Sequence, residues 1–386
     1  MMFIQVFGKE SITRLDWDSV KNGKVLRKYY EPLVKNSSKI FVRNSDHQVE
    51  ILQVGTELYP LTIGRKSNKK TCYLFSLKAQ YIDYTREEVL KGSSYNKSQK
   101  AIVKFFFPFL RVFGSWMGME RTVFVNNFFL ATNLYEKDTL LSDTMVTQYL
   151  KEYYPNCVIA FRSINESTDS HLLNKLKLHG GLPLACRQLY ILDPKHDNFQ
   201  KKRPVIRDRK LWEKTKDLYW QKVLRFDKIE ISTLLTFYRD LYLKKYSQLN
   251  PDYSADFLEA SMNSKILDFY ILREISSDVP LAVQAVERTK HVVCTPFIGY
   301  DHMKPKNIGL YRLMHLKLSE IAIEEDKIFN MSSGASTFKK QRGGVPCFDY
   351  HIIFIDHLPK RVQWFWKQLY SISESIIKPA MKNLKV

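Results

Sequence analysis

Cys157-Val158-Ile159-Ala160-Phe161-Arg162-Ser163, a short helical segment from His171 to Lys177, Gly180-Gly181-Leu182-Pro183, and the β-rich run Leu189-Tyr190-Ile191-Leu192 decide the fold, because the chain carries this series twice. The second copy reads Lys327-Ile328-Phe329-Asn330-Met331-Ser332-Ser333, a helical segment from Ser336 to Gln341, Gly343-Gly344-Val345-Pro346, and His351-Ile352-Ile353-Phe354-Ile355. Glycine tolerates the left-handed backbone that stops a helix, so each Gly-Gly reads as a helix end before a final strand. A four-residue pattern can recur by chance. The matching flanks are what argue for a duplicated unit.

A chain of 386 residues is long for one core and fits two domains. Its 45% hydrophobic and 13% aromatic content can fill two interiors and argues against disorder over most of the length. The five cysteines, Cys72, Cys157, Cys186, Cys294 and Cys347, are scattered without C-x-x-C spacing. They read as thiols of a reducing compartment, with no disulfide framework and no metal site. His291, His302 and His315 have no partner at ligand spacing. Lys9, Glu10, Arg14 and Asp16 interrupt the apolar start, so no signal peptide is expected, and no run approaches the ~20 apolar residues of a spanning helix. These features predict a cytoplasmic protein.

The formal net charge is +20. It predicts attraction to polyanions or to an anionic membrane surface, such as the inner membrane face. Lys201, Lys202, Arg203, Arg207, Arg209 and Lys210 form one concentration, and the tail with Lys360, Arg361, Lys367, Lys378, Lys382 and Lys385 forms another. No RNP motif, helix-turn-helix signature or zinc finger accompanies them, so specific nucleic-acid readout has no support. Phe105-Phe106-Phe107-Pro108-Phe109-Leu110 reads first as a core segment. Its second reading is an aromatic wedge at a membrane surface, helped by Trp116.

Periodicity gives a mixed α/β chain. Strands are expected within Gln48–Ile63, Cys72–Lys78, Val123–Leu134 and Val158–Ser163, with helices in Arg86–Leu110, broken by a loop at 92–97, and in Ser142–Tyr153. The second half reads as a helix over Ile231–Tyr246 and a second helix capped by Ser254. Three strands follow, Leu267–Glu274, Pro280–Glu287 and His291–Phe297, joined by hairpin-length turns. A long helix at Gly309–Glu325, the repeated series and a closing helix at Lys360–Tyr370 complete it. The resulting division is 1–195, a basic linker at 196–210, 211–358, and a basic C-terminal helix at 359–386.

Helix, helix, three antiparallel strands, long helix, strand, short helix, strand resembles a GNAT-type acyltransferase domain. Two in tandem resemble the Fem-type peptidyltransferases and the FemAB-like and CelD-like acetyltransferases. Leu272-Arg273-Glu274, Gly299-Tyr300-Asp301, Gly309-Leu310-Tyr311-Arg312, and Asn330-Met331-Ser332-Ser333-Gly334-Ala335 before Phe338-Lys339 carry the likeness. The resemblance implies two tandem GNAT-like domains and an N-acyltransferase that moves an acyl group from acyl-CoA or acetyl-CoA to an amine. The acceptor would be a small molecule, a peptide or an amino sugar. A Fem-type transfer from aminoacyl-tRNA is the alternative, although no coiled-coil arm follows Lys210. A catalytically inactive double-GNAT module docking on membrane or nucleic acid is another.

The resemblance also assigns roles. Lys339 matches the Fem-type lysine near the acyl-transfer centre, where a charge can stabilise an oxyanion; an exposed lysine beside Lys340 and Arg342 is the plain alternative. The family's pyrophosphate loop before the long helix falls on Lys304, Asn307, Gly309, Leu310, Tyr311 and Arg312, with only the last glycine of the family's pattern kept. Tyr300 and Asp301 end the third strand and are expected to bind substrate or orient a nucleophile, with Tyr311 as a proton donor. Glu287 stands where a GNAT base can sit, or is an exposed turn residue. Asn330, Ser332, Ser333 and Gly334 form a loop of hydroxyls and amides, and Asn127 and Asn133 face the same cleft. The first half lacks a Phe-Lys element, offering only Leu176-Lys177, so chemistry is expected in the second half.

Overall fold

In the computed structural model, which describes residues 2–64, 71–92, 95–195 and 198–383, twelve strands form one mixed sheet. Lys385 of the basic tail, two residues of the loop expected at 92–97 and the first two of the expected linker lie outside the described residues. The first half supplies β1 (Ile4–Phe7), β2 (Gln48–Val54), β3 (Glu57–Ile63), β4 (Thr122–Val125), β5 (Val158–Asn165) and β6 (Leu182–Leu192). The second supplies β7 (Leu218–Val223), β8 (Asp268–Glu274), β9 (Pro280–Arg288), β10 (Val292–Tyr300), β11 (Ile328–Asn330) and β12 (Val345–Phe354). Spatial order is β1-β2-β3-β4-β5-β12-β6-β11-β10-β9-β8-β7.

The duplication is written in that order. Four antiparallel strands, β1 to β4, lead to the parallel pair β4–β5, and β7 to β10 lead to the parallel pair β10–β11 in the same way. The final strands are exchanged: β12 pairs with β5 and β6, while β6 pairs with β11 and β12. Each half therefore completes the other's sheet, and the seam runs through the strands that follow the two Gly-Gly turns.

The helices are α1 (Gly23–Lys35), α2 (Thr85–Lys91), α3 (Lys97–Trp116), α4 (Thr144–Tyr153), α5 (Ser170–Leu178), α6 (Arg203–Lys214), α7 (Lys228–Arg239), α8 (Ala255–Asn263), α9 (Leu310–Glu324), α10 (Ser336–Gln341), α11 (Lys360–Ile372) and α12 (Lys378–Asn383). Helices α4 and α9 repeat one another, as do α5 and α10. Local chemistry starts several of them. Asp227 accepts from two first-turn amides of α7, the Ser254 hydroxyl accepts from Phe257 N in α8, and Asn96 with Gln99 forms a capping box on α3. On one sheet face α1, α7 and α8 bury Tyr29, Leu33, Leu234, Leu235, Phe257 and Leu258. On the other, α4 and α5 pack on β5 and β12, and α9 on β10 and β11.

The two turns superpose in detail. Gly180 has φ +90° and Gly343 φ +95°. Gly181 N donates to Leu176 O and Gly344 N to Lys339 O, each at 2.9 Å. Leu176 and Lys339 thus occupy the same place in the repeat.

Four expectations differ from the structure. Cys72–Lys78 is a 3-10 turn at Tyr73–Phe75 followed by helical backbone at Leu77 and Lys78, and the strand expected to reach Leu134 ends at Val125, because Asn126 and Phe129 take positive φ. Most of the stretch expected as a linker lies in the short turn Asn198–Lys201 and in α6, whose Pro204 sits in the first turn where its missing N–H costs nothing. The helix expected over Ile231–Tyr246 is α7 followed by a π-turn at Asp240–Lys244. Strands β1 and β7 add to the reading; both are short edge strands.

Candidate active site

β11 ends in a loop of unusual backbone. Ser332, Gly334 and Ala335 have φ of +61°, +76° and +48°. Asn330 Oδ1 accepts from Ser332 N at 2.9 Å, turning the chain at once. Lys339, on the inner side of α10, reaches back and donates to Ser333 O at 2.6 Å and Ser332 O at 3.2 Å. Ser332 O also accepts from Tyr190 N on β6. Lys339 is only 4% exposed, so the reading of it as a surface lysine is excluded. Burial, and then the nearby Arg187 charge, lower its pKa to about 7, far below the ordinary lysine value. A cavity of about 270 Å³ lined by Asn198, Lys202, Lys340, Gly343, Gly344 and Val345 opens beside this turn.

Arg187 on β6 links that loop to the seam. It donates Nε to Asp349 Oδ2 on β12 at 2.7 Å, and Nη2 to Ala131 O at 2.6 Å and Thr132 Oγ1 at 2.9 Å. Thr132 Oγ1 lies 3.4 Å from Ser332 Oγ, joining a first-half loop to a second-half one. Two residues on, Leu134 N donates to Glu287 Oε1 at 3.1 Å, and Cys294 Sγ lies 3.3 Å from Oε2. Glu287 is buried, not an exposed turn residue, and burial pushes its pKa up to about 7. By register, Glu287 pairs with Cys294 and Cys294 with Asn330, so Glu287 stands two strands, ~10 Å, from the strand that ends in the Lys339 loop. Asn133 Nδ2, Asn330 Nδ2 and Asp349 Oδ1 are buried without a hydrogen-bond partner among the described residues.

The other expected residues divide. Tyr311 packs on Phe338 at 4.9 Å, and Tyr300 lies 6.4 Å from Tyr311, so these rings lead to α10; burial pushes the Tyr311 phenol up to about 12. His315 stays neutral, lowered to about 3 by burial and by the charges of Lys339 and Arg342. Asn127 and Asn133 are inside the first-half loop: Asn127 donates to Thr62 Oγ1 and Leu74 O and accepts from Arg162, while Asn133 Oδ1 accepts from Phe128 N. Asp301 accepts from Met303 N, the work of a turn former, and Lys304 lies 4.0 Å from Glu274.

The expected phosphate loop fits an acyl-CoA poorly. Gly309 is left-handed at φ +71°, as the pattern requires, and Asn307 is in the 3-10 turn before it. But Leu211 of α6 lies 2.7 Å from where a Gly309 Cβ would be, Leu310 is core, and Arg312 is tied to Asp208 of α6 at 2.6 Å. Asp208 also holds Arg342 at 2.6 Å. The start of α9 is therefore a helix–helix contact where an open anion cradle was expected. The matching start of α4 is capped by Asp143, whose carboxylate accepts from Met145 N and repels a phosphate. Sequence reasoning missed Arg187, Asp349 and Thr132, whose roles exist only because β6 and β12 are exchanged. Among the described residues no group of His, Cys, Asp or Glu is arranged to hold a metal.

No protein-family profile matches the chain, and no curated protein matches it. Among the solved structures similar to it are L-PGS, FemX and a tandem GNAT protein. L-PGS from Bacillus licheniformis is 12% identical with a TM-score of 0.42, covering 61% of this chain and 78% of that one. FemX is 9% identical with a TM-score of 0.42, covering 59% and 80%. A tandem GNAT protein from the clavulanic acid biosynthesis pathway is 7% identical with a TM-score of 0.41, covering 93% of this chain and 100% of that one.

Proposed function

We propose that the chain is an N-acyltransferase that moves an acyl group to an amine at the seam between its halves. The observation that carries this reading is Lys339: a buried lysine near neutrality, held by two loop carbonyls, at the place the other half gives to a core leucine. A buried amine costs stability, so one kept at such a place is a candidate for a functional role. Acyl transfer to an amine needs a proton removed from the acceptor and the developing oxyanion stabilised. Glu287, near 7, suits the first task. The Lys339 ammonium, with the fixed charge of Arg187 beside it, suits the second.

The resemblance points to an acyl-CoA donor. The contact of α6 with the start of α9 favours a second reading, in which the acyl or aminoacyl group arrives as an ester on a larger carrier such as tRNA, whose phosphates a chain of net charge +20 attracts.

The test is direct. Purified protein is incubated with primary amines and either a panel of acyl-CoAs or charged tRNA, and the amide product is read by mass spectrometry. Transfer from one donor class, lost in Lys339→Ala, supports the proposal and chooses the donor. No amide from any donor, with binding to RNA or vesicles intact, would leave the binding-module reading in its place.

A further inference from the structure

Helix α3 lies in the long connection between β3 and β4, which has no counterpart between β9 and β10. Its inner side is used: Val103 is buried, and Phe107, Leu110 and Phe113 pack against Phe365 and Trp366 of α11 and the sheet beneath. Its outer side is apolar and bare. Ile102, Phe105, Phe106, Phe109, Val112 and Trp116 are all exposed, Phe105 by 76% and Val112 by 71%. Spacings of three and four residues put them in one stripe. Scattered exposed hydrophobics are ordinary, but a six-residue stripe with three phenylalanines and a tryptophan is not.

The charges beside the stripe identify its occupant. The only ionisable residues of α3 are Lys97, Lys100, Lys104 and Arg111, and Lys104 Nζ lies 5.8 Å from the Phe105 ring. Helix α11 continues the surface: Arg361 sits over the Trp116 ring at 5.9 Å, Trp364 is 59% exposed, and Lys360 and Lys367 flank it. Tryptophan and phenylalanine beside lysine and arginine, with no acid on either helix, is the chemistry of an interfacial helix on anionic lipid. A second copy of this face would bring cation against cation. Among the described residues no helix is long and apolar enough to cross a membrane, and the stripe occupies one side of α3 only.

We propose that the outer face of α3, with Trp364 of α11, docks flat on an anionic lipid bilayer, the aromatic rings entering the headgroup–acyl boundary. This does not rest on the transferase reading, since it uses none of the seam residues. The full chain is mixed with phosphatidylcholine vesicles, with or without phosphatidylglycerol, and floated on a density gradient. It is expected to float with the anionic vesicles, with a blue shift of tryptophan emission. The double variant Phe105→Ser, Phe109→Ser should bind about tenfold more weakly or worse at an unchanged melting temperature. If that variant is unstable, Ile102→Ser with Val112→Ser on the same stripe gives the same readout. Three results would overturn the proposal: no flotation of the wild type, flotation of the variants equal to wild type so that charge alone binds, or a wild-type dimer that the variants convert to monomer while flotation stays unchanged. Retention on RNA in place of vesicles would overturn it as well.

Discussion

Leu176 and Lys339 occupy the same position in the two halves, and they do opposite things. Each offers its carbonyl to the second glycine of the turn that follows it. Leu176 then buries its side chain in the first-half core, while Lys339 sends an amine back into the preceding loop. A second pair differs in the same sense. Through the β3–β4 and β9–β10 registers, Glu287 stands where the first half has Thr62. Thr62 accepts a bond from Asn127, whereas Glu287 is a buried carboxyl near neutrality. The first half shows what the fold needs at these places. The second half's departures, both costly for folding, are where function is to be sought.

The largest effect should come from making the second half like the first. Lys339→Leu is expected to lower transfer activity about 10³-fold, the upper range for losing an oxyanion-stabilising group, while leaving the protein as stable or more so. The pH dependence gives a sign to check. Lys339 titrates near 7 in the fold and near its ordinary value, ~10.5, when unfolded. Between those values the unfolded chain binds more protons, so the lysine's penalty is fully present below about 7 and fades as pH rises toward ~10.5. The stability gap favouring the leucine variant should therefore shrink as pH is raised across that window. A variant that keeps full activity, or one that unfolds outright, would make Lys339 a structural clamp on the loop.

Next is the bond that ties the halves together. Arg187 and Asp349 face one another in register on the exchanged strands β6 and β12, and Asp349 is 2% exposed. Arg187→Met leaves that carboxylate without its partner and frees Ala131 and Thr132, so about 3 kcal/mol of stability should be lost. Urea unfolding would measure it. A loss below about 1 kcal/mol would mean that water or a relaxed Asp349 already compensates for the missing guanidinium.

Why the sequence revealed some of this and hid the rest follows from the range of each interaction. The Gly-Gly turns were legible because positive φ restricts residue type locally, and the series of strands in the second half because its turns are short. Helix α6 was hidden by its charge: a run of Lys and Arg reads as linker, yet Asp208 collects Arg312 and Arg342 from distant elements and fixes it. Glu287 looked like a turn residue because its burial comes from a loop of the other half, 153 residues away in sequence. The strand exchange left no local trace, and it alone explains Arg187, Thr132 and Asp349.

Glu287→Gln keeps the shape and removes the base. Activity is expected to fall about 10²-fold, within the usual contribution of a positioned acid–base group. The pH profile is the sharper readout. As a base, Glu287 must be ionised while the Lys339 ammonium must keep its proton, so kcat/KM of the wild type should pass through a maximum near 7, and the glutamine variant should lose the rising limb on the acid side. A profile that keeps the limb would assign the base elsewhere and reduce the difference between Thr62 and Glu287 to packing.

The smallest effect tests the repeat itself. Gly180 and Gly343 share a backbone that other residues enter only with strain, so Gly180→Ala should cost about 1 kcal/mol from conformation alone. A Cβ at Gly180 would meet nothing within 4 Å, whereas one at Gly343 would stand 2.6 Å from Phe199 Cβ and 3.0 Å from Leu192 Cδ1. Gly343→Ala therefore carries the same strain plus a steric clash against β6 and the segment before α6, and should cost at least about 1 kcal/mol more. Urea midpoints of the two variants read the difference directly. Equal losses would mean that Phe199 and Leu192 yield freely, and that the second turn is no more tightly packed than the first. A larger loss at Gly343 would show that the turn beside Lys339 is braced from outside, which is what holding a buried amine in one geometry demands.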